Sequence, residues 1–310
     1  MTKVVALGGG HGLAATLAAL RQITQDITAI VTVADNGGSS GRLREEFPIF
    51  PPGDLRMALT ALCADDDWGR TWAQILQHRF DSDGDLNGHA MGNLLLASMW
   101  NAGDDPVVAL DRVGQLLKVI GRVLPMAAVA LDIEGTFNTS TGRIVVRGQK
   151  EVARAKGHIQ ALRILPEDPP ARPEALSAIA DAEWITMGPG SWFSSVIPHL
   201  LVPAQLDALI SSPAKKILIL NLDASSASQG EEFAGSSPEQ HLEFFHQYAP
   251  GLTVDYCLMD QSVVRDEASL RTAASTLGSE IVVADIRKAP GSIHHDDQKL
   301  ALHLGHIFSR

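Results

Sequence analysis

The chain has 310 residues and a net charge of −11, with 45% hydrophobic and 20% charged residues. This composition can bury a large core, and we expect residues 1–310 to form a single α/β domain. The negative charge and the lack of basic tracts or basic faces argue against a nucleic-acid or anionic-membrane partner. No run reaches the roughly 18 apolar residues of a membrane span, and the N-terminus has no export signal. Two isolated cysteines, Cys63 and Cys257, suit a reducing compartment, so we expect a cytoplasmic protein.

The first chemical motif lies between a predicted strand, Val4–Leu7, and a helix-forming run that begins at Leu13. Glycines in such a turn let the backbone approach a ligand, and the free N–H groups at a helix start favour an anion. The turn is therefore a candidate phosphate site, formed by Gly8, Gly9, Gly10, His11 and Gly12. It lacks the third glycine of the full dinucleotide fingerprint, so a plain structural turn remains an alternative.

An acidic residue, Asp35, follows the second predicted strand, Ile27–Val33. Nucleotide-binding folds place an acid that contacts a ribose hydroxyl at this point. The next residues are predicted to form a polar, flexible rim, with candidate contacts from Asn36, Gly37, Ser39 and Ser40. Arg42 and Arg56 are candidates to bind an anion, whereas Arg44, which precedes two glutamates, is more typical of a solvated surface.

Asp54 follows Pro51-Pro52-Gly53 at the start of a predicted helix, Leu55–Cys63. Its carboxylate could cap the helix, and a ligand role is about as well supported. Because Asp35 and Asp54 both follow the second strand, they could hold a divalent cation, most suitably Mg²⁺, against a diphosphate. They are also the candidate catalytic residues.

A further turn, Asn87–Asn93, opens an apolar helix that runs through Met99. Asn93 can donate and accept hydrogen bonds at once, which makes it a candidate ligand contact. His89 is more typical of a structural histidine than of a catalytic base.

Between about Met126 and Leu165 the pattern changes to short β-like runs separated by glycine-rich turns. This predicts an antiparallel insert or subdomain. The expected strands are 127–133, 143–147 and 159–165. A proline-rich linker, Pro166–Pro173, and a helix, Glu174–Ala182, lead back to the main sheet.

The remaining predicted strands are buried and most are followed by glycine or polar residues. They are 184–187, 216–222, 254–259 and 281–286. The whole pattern favours a Rossmann-like, mostly parallel sheet with helices on both faces, with its strand order left open.

Ligands of open parallel sheets bind beyond the carboxyl ends of the strands. The turn after strand 184–187 therefore adds candidate ligand contacts, Gly188, Gly190 and Ser191, and the end of strand 216–222 adds Asn221. Ser191, Ser194 and Ser195 could either bind or cap a helix. The serine-rich stretch from Ala224 to Ser237 is predicted to be a mobile loop or lid.

Taken in order, these motifs resemble those of the YvcK-type gluconeogenesis factors, which share a fold family with 2-phospho-L-lactate transferase (CofD-like). The resembling segments are Gly8–Leu13, Val33–Arg44, Pro51–Arg56, Gly88–Leu94 and Gly188–Ser191. The likeness runs from Lys3 to the segment His295–Ala301 and so covers nearly the whole chain.

The resemblance implies a cytoplasmic bacterial protein needed for normal growth and cell shape on gluconeogenic carbon, which binds a UDP-sugar such as UDP-N-acetylglucosamine. Structural relatives also hold a dinucleotide. The related transferases move a phospholactyl group from a nucleotide diphosphate donor to a deazaflavin precursor, with an acid-bound divalent metal. Carried over to this sequence, the resemblance places the site at Gly8–Gly12, Asp35, Asn36, Ser39, Ser40, Asp54 and Gly188–Ser191.

The sequence departs from these patterns at two places. The transferases usually have two adjacent acids where this chain has Asp35-Asn36, which removes one carboxylate. After Asn221, only Gln229, Gly230 and Glu231 align with the motif of the gluconeogenesis factors, which puts sugar contacts from this segment in doubt.

Three functions are compatible with the sequence. The favoured one is a nucleotide-sugar-binding regulatory protein without turnover that acts on a partner in cell-wall synthesis. The second is a metal-dependent transferase acting on a nucleotide diphosphate donor, whose turnover Asp54→Asn would abolish. The third is an NAD-linked oxidoreductase. The incomplete fingerprint and the absence of a convincing hydride-transfer residue argue against it. Self-association is left open.

Overall fold

The computed structural model describes residues 2–222 and 237–310, which contain ten strands in two sheets. The strands are β1 Lys3–Gly8, β2 Asp26–Val31, β3 Arg122–Pro125, β4 Asp132–Thr139, β5 Gly142–Arg147, β6 His158–Leu165, β7 Trp184–Met187, β8 Lys215–Ile219, β9 Tyr256–Asp260 and β10 Glu280–Ala284. Asp223, Gln229, Gly230, Glu231 and nearly all of the predicted lid lie outside the described residues.

Thirteen α-helices connect these strands within the described residues. They are α1 Gly10–Leu20, α2 Gly38–Glu46, α3 Pro52–Ala61, α4 Asp67–Gln77, α5 Met91–Asn101, α6 Pro106–Leu117, α7 Gln149–Arg154, α8 Pro173–Asp181, α9 Pro198–Leu201, α10 Pro203–Ser211, α11 Pro238–Tyr248, α12 Glu267–Ser275 and α13 Asp297–Phe308. A π-helical turn, Trp192–Val196, and a 3₁₀ turn, Gln261–Val263, complete the set.

The main sheet has seven strands in the order β10-β9-β8-β7-β1-β2-β3, and all of its pairs are parallel. Successive side chains of a strand point to opposite faces, so the complete burial of β7 and β9 means that both faces are covered. The predicted Rossmann-like α/β fold is confirmed.

The strand order decides where a ligand can bind. From β1 the chain adds β2 and β3 on one side and then returns to add β7 through β10 on the other. The order therefore reverses between β1 and β7, which pair directly, with Leu7 opposite Met187. In open α/β sheets a crevice forms at such a reversal, beyond the carboxyl ends of the two strands.

The smaller sheet is antiparallel, in the order β5-β4-β6. It corresponds to the predicted insert, although its first strand is β4 rather than the predicted 127–133. Ala127 makes only an isolated bridge to Ala171. Strand β3 was not predicted, because Arg122 and Pro125 leave only a two-residue apolar run, Val123-Leu124, between them.

One predicted loop is a helix. The segment after Asp35 was expected to be a flexible rim, yet it forms α2, and Ser39 and Ser40 are buried. Gly41 makes this possible, because a Cβ there would lie 2.1 Å from the backbone oxygen of Asn36.

Within the described ranges, no single helix is long and apolar enough to cross a membrane. Two consecutive helical segments, Trp192–Leu201 and Pro203–Ser211, are together long and apolar enough for a span, but the chain bends by 78° between them.

Candidate functional site

The two glycine turns meet in one cleft of about 320 Å³ at the carboxyl ends of β1 and β7. Backbone, hydroxyl and carboxylate groups line it together. The lining residues are Gly9, Gly10, His11, Gly12, Thr32, Asp35, Asp54, Gln149, Gly190, Ser191, Ser194 and Ser195. The structure thus brings the predicted residues of four separate motifs into one cavity.

Helix α1 begins inside this cleft. Gly9 is its N-cap and has no side chain to satisfy the first N–H groups, which have no acceptor within the helix. The N–H of Gly10, whose φ is +57°, donates to the Asp54 carboxylate. The start of α1 thus presents amide donors and the positive end of the helix dipole to the cleft.

Close backbone contact joins the two turns. A Cβ on Gly12 would lie 2.1 Å from the carbonyl oxygen of Pro189, so only glycine lets the second turn approach α1 this closely. The Thr16 hydroxyl donates to the carbonyl oxygen of Gly188 at 3.1 Å. Gly188 therefore holds the second turn against α1 and does not line the cleft.

Asn221 fixes the second turn from the other side. Its Oδ1 accepts from the N–H of Gly190 at 2.8 Å and its Nδ2 donates to the carbonyl oxygen of Gly190 at 2.7 Å. Asn221 was predicted to contact the ligand, but its side-chain amide is already hydrogen-bonded to the turn.

Gly8 also lies behind the cleft. Its carbonyl oxygen accepts from the N–H of Thr32 at 2.9 Å and lies 3.3 Å from Nε2 of His199. Burial lowers the pKa of His199 to about 4, so the ring is neutral, and Gln205 contacts its other nitrogen at 2.9 Å. A buried histidine and glutamine thus hold the strand end that precedes the glycine turn.

Asp54 does not cap its helix. Pro51 is the N-cap of α3, and Asp54 stands in the first turn, where its carboxylate faces Gly9 and Gly10. Burial, and next the negative charge of Asp35, raise the pKa of Asp54 to about 7. The two carboxylates therefore lie close enough to oppose each other's charge, as the sequence predicted for a shared cation.

Gly53 allows this approach. A Cβ at Gly53 would lie 3.3 Å from Oδ2 of Asp35 and 2.6 Å from Oγ of Ser40. The N–H of Gly53 donates to Oγ of Ser40 at 3.0 Å, which ties the start of α3 to α2. Ser40 is thus a support of the carboxylate pair rather than a lining residue.

The side chains of the cleft include few groups that could bind a metal ion. No group of three or more His, Cys, Asp or Glu side chains able to hold a metal occurs among the described residues. Asp35 and Asp54 form a pair only. Mg²⁺ commonly binds one or two carboxylates together with phosphate oxygens and water, so this pair fits a Mg²⁺ that a bound diphosphate would complete.

Asn36 points towards the insert. Its Oδ1 accepts from the N–H of Lys150 at 3.0 Å and its Nδ2 donates to Glu151 at 2.8 Å. The residue that replaces the second acid of the transferases thus fastens α7 beside the cleft, and α7 contributes Gln149 to the lining. Gly37 donates its N–H to Oδ1 of Asp35 at 2.8 Å.

Ser39 and Asn93 belong to a buried network outside the cleft. Oγ of Ser39 lies 2.9 Å from Nδ1 of His89 and accepts from Nδ2 of Asn93 at 3.0 Å. Arg56 donates through Nε to Oδ1 of Asn93 at 2.9 Å. Burial lowers the pKa of Arg56 to about 10. These side chains connect α2, α3 and α5, and His89 has the structural place expected of it.

The arginines differ from the prediction. Arg42 is exposed and donates to the carbonyl oxygens of Asp85 and Asn87, away from the cleft. Arg44, expected on the surface, is only 17% exposed and donates to the backbone oxygen of Asp35 at 3.0 Å. It also pairs with Asp132 of the insert at 2.9 Å. The adjacent glutamates misled the prediction, because α2 turns Arg44 inward.

Two lining residues were missed. Thr32 directly follows β2, and its Oγ1 is buried without a hydrogen-bond partner in the described structure. Gln149 lies 95 positions after Asp54 and 114 positions after Asp35, so only the folded insert brings it to the cleft. The signal that could have identified Thr32 was a polar residue near the end of an apolar run.

Comparison with known proteins relates the whole chain to one family. The family model "2-phospho-L-lactate transferase CofD" matches residues 4–295. A "Putative gluconeogenesis factor" of Mycobacterium leprae is 50% identical over 309 residues, covering 97% of this chain and 85% of the relative. The "Gluconeogenesis factor" of Bacillus subtilis is 37% identical over 265 residues, covering 86% of this chain and 80% of the relative.

A solved structure of a upf0052 family protein from Bacillus halodurans is similar throughout. It is 32% identical, has a TM-score of 0.85 and covers 98% of both chains. With the reversal-point cleft already described, these matches confirm the resemblance seen in the sequence motifs. The chain belongs to the CofD family and, within it, to the gluconeogenesis factors.

Proposed function

We propose that the chain is a cytoplasmic regulatory protein that binds a nucleotide sugar of the UDP-N-acetylglucosamine kind and acts, without turnover, in the control of cell shape during gluconeogenic growth. The observation that carries the proposal is the convergence of the α1 amides, three serine hydroxyls and two carboxylates in one cleft. The names of the relatives support the gluconeogenic setting.

The chemistry of the cleft matches a diphosphate. Helix N-terminal amides and hydroxyl groups donate to phosphate oxygens, and the helix dipole favours their charge. Ser191, Ser194 and Ser195 line the same cleft as Gly10 and His11. Oγ of Ser191 caps the π-helical turn, where it accepts from the N–H and the hydroxyl of Ser194, so a diphosphate would meet Ser195 and the α1 amides first. A bound dinucleotide would use the same groups.

Two carboxylates in a diphosphate site call for a cation. Burial, and next the negative charge of Asp35, raise the pKa of Asp54, so the site disfavours two adjacent negative charges. A Mg²⁺ ion between Asp35, Asp54 and the diphosphate would neutralise that repulsion. Metal would therefore strengthen binding at a pH where both acids are ionised.

The same observation favours the alternative, a transferase acting on a nucleotide diphosphate donor. A buried carboxylate with a perturbed pKa, such as that of Asp54, is frequent at catalytic centres. In that reaction an acceptor hydroxyl would attack phosphorus and a nucleoside monophosphate would leave. The position of Asn36, which fastens α7, favours binding over this chemistry because the second adjacent acid of the transferases is absent.

A thermal-shift series with UDP-N-acetylglucosamine, UDP, NAD and GDP, each with and without Mg²⁺, tests the proposal, because a ligand of the folded state raises its stability. Ser195→Ala removes a hydroxyl from the cleft, and Ser98→Ala, on an exposed helix position, is its control. We expect Ser195→Ala to weaken binding of UDP-N-acetylglucosamine about tenfold, the size of one hydrogen bond to a charged group. Ser98→Ala should not change it.

Product analysis separates the two functions. Incubation with Mg²⁺, nucleotide diphosphate donors and a deazaflavin precursor as the hydroxyl acceptor, followed by ³¹P NMR, should show no release of nucleoside monophosphate. Release that Asp54→Asn abolishes would establish the transferase instead. Absence of any UDP-sugar shift would contradict both the ligand and the regulatory role.

A further inference from the structure

The insert carries a concentration of positive charge in an otherwise acidic protein. Residues 143–163 hold six of the 25 Lys and Arg residues and only one of the 36 acids, Glu151. That acid is engaged by Asn36. No basic face was expected from the sequence, because these cations lie on β5, on α7 and on or just before β6, which only the fold brings together around β4.

Four of these cations are exposed and unpaired. Arg147 forms an ion pair with Asp132, and Arg163 forms ion pairs with Glu134 and Glu167. The side chains without an ion pair or hydrogen bond in the part of the chain that the structure describes are Arg143, Lys150, Arg154 and Lys156. A cluster of exposed like charges is a site for an anionic partner.

The same region has an open strand edge. In the described structure β5 lies at the edge of its sheet and pairs only with β4. Its side chains Ile144 and Val145 are 39% and 58% exposed. In an antiparallel pair, every second residue of an edge strand turns its N–H and C=O outward, which is a template for another strand.

We infer that β5 and α7 form a docking surface for an acidic, extended segment of a partner protein, which adds to the small sheet as a fourth strand. Among macromolecular partners, a polypeptide strand matches the outward N–H and C=O groups of an edge strand, whereas neither a membrane nor a nucleic acid offers a matching ladder. Repulsion between like charges argues against a second copy of this chain.

The docking surface is connected to the cleft. Arg147 of β5 shares Asp132 with Arg44, and Arg44 holds the backbone of Asp35. Helix α7 adds Gln149 to the cleft lining. Occupation of the cleft should therefore change the affinity of the docking surface, a step that rests on the proposed function.

A fluorescent peptide in which glutamate and valine alternate is the probe, and fluorescence anisotropy measures its binding to the full chain. The double variant Arg143→Glu with Arg154→Glu should weaken binding at least about tenfold. The control, Lys3→Glu with Lys288→Glu, makes the same change in net charge at exposed positions elsewhere and should have no effect.

Peptide chemistry tests strand addition itself. An N-methylated version of the probe keeps its charge but cannot donate the backbone hydrogen bonds, so it should bind at least about tenfold more weakly. Equal binding of the two peptides, or no binding of either, would overturn the inference. So would tight binding to phosphatidylserine vesicles or duplex DNA without peptide binding, or dimerisation lost in the Arg143→Glu, Arg154→Glu variant.

The connection to the cleft is tested separately by titrating the peptide with and without UDP-N-acetylglucosamine. A changed peptide affinity supports the connection. An unchanged affinity, in protein that the thermal shift shows to bind the sugar nucleotide, would refute the connection and leave the docking surface standing.

Discussion

Replacing Asp54 by asparagine should stabilise the protein at alkaline pH. The folded state raises the pKa of Asp54 from 3.8 to about 7, chiefly by burial and then through Asp35. Between these two values the folded state holds a proton that the unfolded state has lost, so stability falls as the pH rises through this window. A difference of about three units corresponds to about 4 kcal/mol.

The variant removes this ionisation while keeping an oxygen that can accept from the N–H of Gly10. We therefore expect Asp54→Asn to be the more stable protein at pH 8, and its advantage over the parent to shrink by about 4 kcal/mol on going to pH 4. Urea unfolding at several pH values between 4 and 8 measures the difference.

Asp83→Asn is the control, because Asp83 is exposed and makes no hydrogen bond or ion pair in the described structure. Its free energy of unfolding should follow the parent at every pH. A difference between Asp54→Asn and the parent that does not change with pH would refute the reasoning, as would a variant that is less stable at pH 8. Mg²⁺ at pH 8 should stabilise the parent more than Asp54→Asn.

Three further outcomes follow from the contacts of the site. Gly9→Ala should lower the free energy of unfolding by about 1–3 kcal/mol and abolish UDP-N-acetylglucosamine binding, because its Cβ would lie 2.5 Å from Cγ2 of Thr32 and 2.6 Å from Oδ2 of Asp54. Calorimetry measures both effects, and Gly84→Ala, where a Cβ meets nothing within 4 Å, is the control. The stability that neutral His199 contributes should be complete above pH 6.5 and disappear as the pH falls through its folded pKa of about 4, so unfolding of His199→Gln should depend less on pH in this window. Asn221→Asp should cost about 1–3 kcal/mol in urea unfolding and weaken ligand binding, since a carboxylate cannot donate to the carbonyl oxygen of Gly190; unchanged binding would show that the second turn keeps its shape alone.

The sequence predicted six of the seven strands of the main sheet, all except β3. Runs of buried apolar residues such as Trp184–Met187 are typical of parallel strands, and glycine turns follow two of them. It also predicted that Gly10, Asp35, Asp54 and Gly190 would share a cavity, because carboxyl ends of parallel strands meet at one edge. The roles of these residues in binding stay predictions.

The sequence was less informative about which polar residues face the cleft and which support it. Ser39, Asn93 and Asn221 have the chemistry of ligand contacts, but each is occupied by another part of the chain. Short-range pattern cannot distinguish these cases, since hydrogen-bonding capacity is the same whether the partner is a ligand or a distant backbone group.

By itself, the sequence determined the fold class, the glycine turns and the acids at the strand ends, because these depend on local propensity and on the burial of apolar runs. Only the tertiary structure decided the reversal point between β1 and β7, the inward turn of Arg44 and the arrival of Gln149 at the cleft. Each of these depends on contacts between residues far apart in the chain, whose geometry is set by how the sheet and the insert pack.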